Sequence, residues 1–396
     1  MTKTKAQAVL LQNQDWQAAA QDACEQLKDF GPVDLLVLFA SEAYGDNLTG
    51  LVQTLYKEIG PNILIGCSGG GIIGPERELE DVYAISVLAL SLPGAELKPY
   101  HFSQSDLMKT DSDWLSSLIQ KNGGLQRINA WMLLGHPFTI RDAEQMLTVF
   151  SQACPGRPLI GGLASGDFQL RRQAYLFLND QVIQEGALGL AVGGEYTLRP
   201  VVSQGATPIG EAWMVTAAEG NVIQSISGRT AYEVLIETFK SLTPTQQQQA
   251  RRNLLVGLAV DEYKAEFNRG DFIIRSLMGI DPNSGIMAIN DEPRLGQTIQ
   301  FQLRDAAAAD EDLREILGAA KTALGQTEPV AGLLFSCNGR GTGLFGEPDH
   351  DARLVAEQLG AMPLAGFFCA GEIGPVGPKN FLHGFTASLG LFVPKS

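Results

Sequence analysis

Six consecutive residues, Ser336-Cys337-Asn338-Gly339-Arg340-Gly341, hold a thiol, an amide, a guanidinium and two glycines, directly after the apolar run "VAGLLF". Four chemistries compete for such a stretch. A phosphate cradle needs Gly, four residues, then Gly-Lys-Ser/Thr, because the lysine neutralises the outer phosphates. The spacing recurs here as Gly66–Gly71, Gly161–Gly166 and Gly366–Gly371, but the next residues are Ile72, Asp167 and Glu372, and an acid there repels phosphate. Gly341-Thr342-Gly343-Leu344-Phe345-Gly346 matches the letters of a dinucleotide fingerprint. However, "NGR" separates it from the strand, and Pro348 places the helix start beyond it. Cys337, three residues from Arg340, has the setting of a lowered thiol pKa, with His350 or His383 as a base unplaced in space. The four histidines are far apart with no HxxxH spacing, and the acids of "EPDHD" (347–351) suit the start of a helix, so no metal site is expected.

Binding chemistry is what this leaves. Glycine turns let backbone amides approach a ligand closely. Arg340 can clamp a carboxylate bidentately, and Glu372 can accept a hydrogen bond from an amine. Together they suit a small amino acid or carboxylate. The competing reading is that Arg340 and Glu372 pair with each other and brace two loops.

The elements that must position these residues recur. A buried strand (33–40), a helix (47–60), a second strand breaking into glycines (61–74) and a third strand (82–92) form a first copy. Residues 130–135, 140–153, 157–167 and 186–194 repeat the order, and 330–337, 350–360, 362–374 and 384–393 repeat it again. The expectation is an α/β (α+β) protein of two domains, with mixed sheets flanked by helices and an internal duplication. Between the second and third copies, four consecutive strands at 252–260, 271–280, 285–291 and 298–305 predict an antiparallel insert. The stretch 242–252 reads as a polar connector or a solvated helix end.

The totals bound the function. A length of 396 residues exceeds one ordinary core, and 45% hydrophobic with 18% charged residues is a globular balance. A net charge of −15 without a basic stripe argues against nucleic acid and anionic membrane surfaces as partners. Five scattered cysteines without a CxxC pair fit a reducing cytosol rather than a disulfide framework. The N-terminus lacks the apolar core of a signal peptide, and no run reaches bilayer length, so a cytoplasmic protein is expected.

Three motifs in order carry a family resemblance. "SCNGRG" followed by a helix and "PLAGFFCAGEIG" resembles the hallmark of the FIST C-terminal domain. "PNILIGCSGGGI", with Gly66 and Ser68, resembles the glycine loop of the FIST N-terminal domain, and residues 203–235 resemble the junction between them. The resemblance implies a FIST N-terminal domain over 1–225 and a FIST C-terminal domain over 226–396, as in a stand-alone bacterial member. It also implies a sensory module that binds a small ligand such as an amino acid and signals through a partner protein. Some relatives are associated with haem and nitric-oxide sensing, and eukaryotic ones recruit substrates as F-box proteins. The family is not known chiefly for enzymes. Gly66, Gly339, Gly341, Gly366, Gly371, Gly374, Cys337, Arg340 and Glu372 carry over by position, and Asn338 lies between Cys337 and Gly339. Alternatives to the sensor are a ligand-free adaptor, a haem-binding sensor and a Cys337-dependent enzyme. No cofactor other than haem is implied, and no catalytic constellation accompanies Cys337.

Overall fold

A computed structural model of the chain describes residues 3–140, 142–166, 173–264 and 266–395. Asp167, the acid after the second glycine pair, lies outside them. The chain divides into two compact units, residues 1–202 with 314–396, and residues 203–313.

The first unit contains all three copies. The first has strands β1 (Lys5–Gln12), β2 (Leu35–Ser41), β3 (Ile63–Gly69), β4 (Gly71–Gly74), β5 (Arg77–Glu80) and β6 (Ala84–Ser91), with helices α1 (Trp16–Leu27) and α2 (Leu48–Ile59). The second has β7 (Ala95–Phe102), β8 (Ile128–Gly135), β9 (Leu159–Leu163), β10 (Leu176–Leu178), β11 (Gln181–Ile183) and β12 (Ala187–Gly194), with α3 (Gln104–Leu107), α4 (Asp113–Lys121) and α5 (Ala143–Ala153). The third opens with β13 (Tyr196–Ser203).

The second unit follows: β14 (Thr207–Glu219), β15 (Val222–Ile226), β16 (Arg229–Thr230), α6 (Ala231–Ser241), α7 (Pro244–Asn253), β17 (Leu254–Ala259), β18 (Phe272–Asp281), β19 (Ile286–Ile289) and β20 (Thr298–Leu303). Its strands run in the order β14-β20-β17-β18-β19-β15-β16, and a further β14–β15 pairing closes a six-stranded barrel. The antiparallel insert is therefore a barrel that also recruits residues 207–230. The polar stretch near 242–252 is α7, started by a Thr243–Gln246 capping box with Pro244 in the first turn. Helix α8 (Ala306–Leu324) then leads to the rest of the third copy: β21 (Ala331–Cys337), α9 (Gly341–Phe345), α10 (His350–Leu359), β22 (Leu364–Cys369), β23 (Gly371–Val376), β24 (Lys379–His383) and β25 (Ala387–Pro394).

The three copies share one register. In each, a parallel strand pair sets a leucine opposite the first glycine of the loop: Leu38 opposite Gly66, Leu133 opposite Gly161, and Leu334 opposite Gly366. A Cβ on those glycines would lie 1.7, 1.9 and 2.0 Å from the carbonyl oxygen of the same leucine, so no side chain fits there. The recurrence is thus a packing requirement met three times.

The copies also exchange hairpins around a ring. β4–β5 of the first extends the sheet of the third at β22, β10–β11 of the second joins β3 of the first, and β23–β24 of the third joins β9 of the second. Because both faces of these strands are covered, they read as unbroken apolar runs. Along β2, Leu36, Leu38 and Ala40 face the cluster containing α1 and α2, while Leu35, Val37 and Phe39 face a shared centre. Met132, Leu134, Leu333, Phe335 and Phe367 join that centre from the other two sheets. Phe39 lies 4.9 Å from Phe367 and 6.1 Å from Phe335, ring centre to ring centre.

Candidate functional site

The sheet ends carry the glycine loops, and these loops are knitted together. Ser165 N–H donates to Ser68 C=O at 3.2 Å, and Ala370 N–H donates to Leu163 C=O at 3.0 Å. The third link of the ring runs through a side chain instead: the Ser165 hydroxyl accepts from Gly70 N–H at 2.6 Å and donates to Phe368 C=O. The buried Ser68 hydroxyl donates to Ser165 C=O at 2.8 Å and accepts from Tyr175 N–H at 3.0 Å.

The strand β21 opens into this junction. Asn338 N–H donates to Cys369 C=O at 3.0 Å, and a Cβ on Gly70 would come within 3.3 Å of Asn338 Oδ1. Cys337 is half-buried, while Asn338 and Gly339 are exposed and form the accessible rim. Gly366 lies below them in the sheet, and Gly371 packs against Leu382, 3.1 Å from where its Cβ would be.

Arg340 turns away from that rim. Its side chain is fully buried, and its Nε and Nη2 donate to Asp351 Oδ2 and Oδ1 at 2.7 and 2.8 Å. The bidentate clamp predicted for Arg340 is present, but it holds a carboxylate of α10 in this same chain. The competing reading, in which Arg340 and Glu372 pair to brace two loops, is therefore corrected: the acid paired with Arg340 is Asp351. Glu372 is buried on β23, where its Oε2 accepts from Thr386 N–H at 3.0 Å. Position explains the difference, since Asp351 lies in the first turn of α10, the helix that begins shortly after the arginine loop. The dipole reading of "EPDHD" is likewise incomplete. Asp351 also accepts from Ser336 Oγ at 2.8 Å, and His350 Nδ1 lies 2.9 Å from its Oδ1. The His350 ring stacks on Phe345, and the Arg340 guanidinium carbon lies 5.2 Å from the centre of that phenylalanine ring.

A hairpin borrowed from the first copy completes the cluster. Glu78 of β5 is buried; its Oε1 accepts from Ala352 N–H at 2.9 Å, and its own N–H donates to Asp349 Oδ1 at 2.6 Å. Glu80 Oε1 accepts from both the N–H and the hydroxyl of Thr342 at 2.8 Å. Gly341 has φ +62°, and a Cβ there would meet the Glu80 carboxylate at 2.6 Å, so glycine is required.

Electrostatics split the two buried acids. Burial alone would raise both pKa values, but the Arg340 charge and the hydrogen bonds from Arg340 and His350 hold Asp351 well below the usual carboxylate range. Burial, then the Asp351 charge, pushes Glu78 up to about 8 against the Ala352 hydrogen bond. One arginine thus serves one ionised carboxylate, and Glu78 carries the proton at neutral pH.

Sequence reasoning named the loop but not Asp351, Glu78, Glu80 or Ser165 as its partners. The available signal was a glutamate at an inward-facing position of a strand, "RELE", in which Glu78 and Leu79 are both buried.

Family comparison matches this arrangement over most of the chain. A FIST N domain covers residues 34–229, and a FIST C domain covers residues 231–375. The chain belongs to the FIST family. FIST domains are associated with signal-transduction sensing. Two of the glycine loops described above fall in the FIST N match and the third, with "SCNGRG", in the FIST C match. An uncharacterized protein of Mycobacterium tuberculosis is 40% identical over 375 residues, 95% of each chain. An uncharacterized protein of Mycobacterium bovis is 37% identical over 375 residues, 95% of this chain and 94% of its own. Among solved structures, a cyanuic acid hydrolase from A. caulinodans aligns over 100% of both chains with a TM-score of 0.32 and 8% identity, too distant to bear on this fold. Among the described residues, no helix is long and apolar enough to cross a membrane.

Proposed function

We propose that this FIST protein is a sensor that binds a small amino acid or carboxylate at the Cys337-Asn338-Gly339 rim and signals the bound state to a partner protein. The observation that carries the reading is the separation of an accessible rim from a rigid base. Asn338 and Gly339 are open, while Arg340 immediately after them is locked to Asp351. Ligand contacts then come from the exposed Asn338 side-chain amide, and Arg340 acts as a positioning residue. A ligand that pulls on the rim strains a loop tied by Glu78 and Glu80 to a different copy of the fold, which gives binding a mechanical outlet.

A second reading, recruitment of a protein partner irrespective of ligand, is favoured by the barrel unit. Met214, Tyr263, Met278, Ile280 and Leu295, five of the six most exposed large apolar side chains among the described residues, belong to it.

The test is a thermal-shift screen of the purified protein with amino acids, small carboxylates and haemin. A ligand at a hundred times its Kd adds roughly 2.7 kcal/mol, a visible shift of the melt. The expected result is a selective amino-acid or carboxylate hit that Asn338→Ala weakens without lowering the unliganded Tm. A hit confined to haemin supports the haem reading, and a flat screen overturns the ligand-binding proposal in favour of recruitment.

A further inference from the structure

Cys337 and Cys369 are the last residues of β21 and β22 and stand directly opposite each other in parallel register. Opposed residues of a parallel pair project from the same face. These two follow Phe335 and Phe367 by two positions, on the face turned to the shared centre. Adjacent strands lie about 4.8 Å apart, within the roughly 4.4–6.8 Å Cα separation that a disulfide spans. The Asn338 N–H to Cys369 C=O hydrogen bond keeps the two chain segments adjacent beyond the last pair.

The two thiols differ in ways that assign them separate roles. Cys337 is half-buried and receives a hydrogen bond from Gly339 N–H at 3.4 Å. Arg340 N–H donates to Cys337 C=O at 2.8 Å, while its guanidinium is turned inward to Asp351. Cys369 is fully buried, donates to Phe367 C=O at 3.6 Å, and fits only because residue 162 is glycine, whose Cβ would lie 2.5 Å from its sulfur. Burial, reinforced by Glu372, Cys67 and Cys337, keeps Cys369 protonated. The more accessible thiol is suited to react first, and the buried one opposite it to resolve it.

We infer that Cys337 and Cys369 form a reversible disulfide when the protein meets hydrogen peroxide, making the rim an oxidant-responsive modification site. In the first step the Cys337 thiolate attacks the peroxide: an S–O bond forms, the O–O bond breaks, and the leaving oxygen departs as water after protonation. In the second, the Cys369 sulfur attacks the Cys337 sulfenic acid: the S–S bond forms, the S–O bond breaks, and a second water leaves. Two thiols are oxidised by two electrons and one hydrogen peroxide is reduced to two waters; an external dithiol reverses the change. The inference is independent of ligand binding at the rim.

The experiment treats the full-length protein with a small excess of hydrogen peroxide, then counts free thiols after denaturation and maps cross-linked peptides by mass spectrometry. The protein has five cysteines, all of them unbridged in this structure. The expected result is the loss of two thiols with a Cys337–Cys369 peptide, restored by dithiothreitol. Cys337→Ser should keep all four of its thiols, Cys369→Ser should accumulate a dimedone-reactive sulfenic acid on Cys337, and Cys24→Ser should oxidise as the parent does. Retention of all five thiols, a Cys337–Cys67 link, or a stable sulfenic acid in the unsubstituted protein would overturn the inference. Peptide mapping of the unsubstituted protein decides the matter even if a variant fails to fold.

Discussion

Glu78 makes the stability of this protein depend on pH in an unusual direction. Folded, it holds its proton to about pH 8, whereas the unfolded chain releases it near the ordinary 4.5. Above pH 4.5 the folded state therefore binds the extra proton, so stability falls as pH rises and levels off beyond about 8. At about 1.4 kcal/mol per pH unit over that span, the loss is on the order of 5 kcal/mol. Asp351 has the opposite sign: its contribution is present above its unfolded value of 3.8 and is lost as pH falls below that. Glu78→Gln keeps an oxygen for the Ala352 N–H while removing the titration. Urea unfolding of both proteins between pH 5 and 8.5, followed through tryptophan fluorescence, should show the variant gaining about 1.4 kcal/mol over the parent per pH unit up to pH 8. Parallel curves would refute the reasoning, because they would mean that Glu78 is ionised in the folded protein or reaches water.

Three further outcomes follow from the same geometry. Arg340→Ala or Asp351→Ala leaves a buried charge unmatched and should cost about 3–5 kcal/mol, whereas Arg340→Met with Asp351→Leu should cost less than either single change in the same urea assay. Alanine at Gly66, Gly161 or Gly366 drives a methyl into a backbone carbonyl that cannot rotate away, so each variant should lose most of its soluble yield, and to a similar degree. Ser165→Ala strands the Gly70 N–H and the Phe368 C=O together, at roughly 1–3 kcal/mol per group, and should lower Tm with no change in the pH profile set by Glu78.

Much of the architecture was legible because it rests on local pattern. The strand-helix-strand-strand order and the Gly-x4-Gly spacing appear three times in the sequence, and the structure places all three in one unit with a common register. The helix expected over 47–60 is α2, and Gly60 ends it in the left-handed conformation. What could not be read was anything decided by the ring of hairpins. Residues 77–80 look like a short charged strand after a glycine loop, and nothing in them says that they pair with β4 against β22, some 290 residues away. That non-local step is what brings Glu78 and Glu80 to the arginine loop. The choice of Asp351 over Glu372 is a matter of three-dimensional reach: both are single acids within a few tens of residues of Arg340, and only the path of α10 distinguishes them. The serine bridge at Ser165 was hidden for another reason, since it substitutes for a backbone link that the other two corners of the ring make directly.

The hairpin exchange has a consequence for how this gene product can be cut. Severing the chain near residue 230, between the two family matches, would take β23–β24 from β9 in one fragment and leave β4–β5 without β22 in it, while the other fragment would expose the bare edge of β22. Each piece would present unpaired strand edges, the surface on which chains stick to one another. The two family segments are then halves of one interlocked object, like links of a closed chain. Gene fusions or truncations that separate them should yield aggregates unless both halves are made together and reassemble.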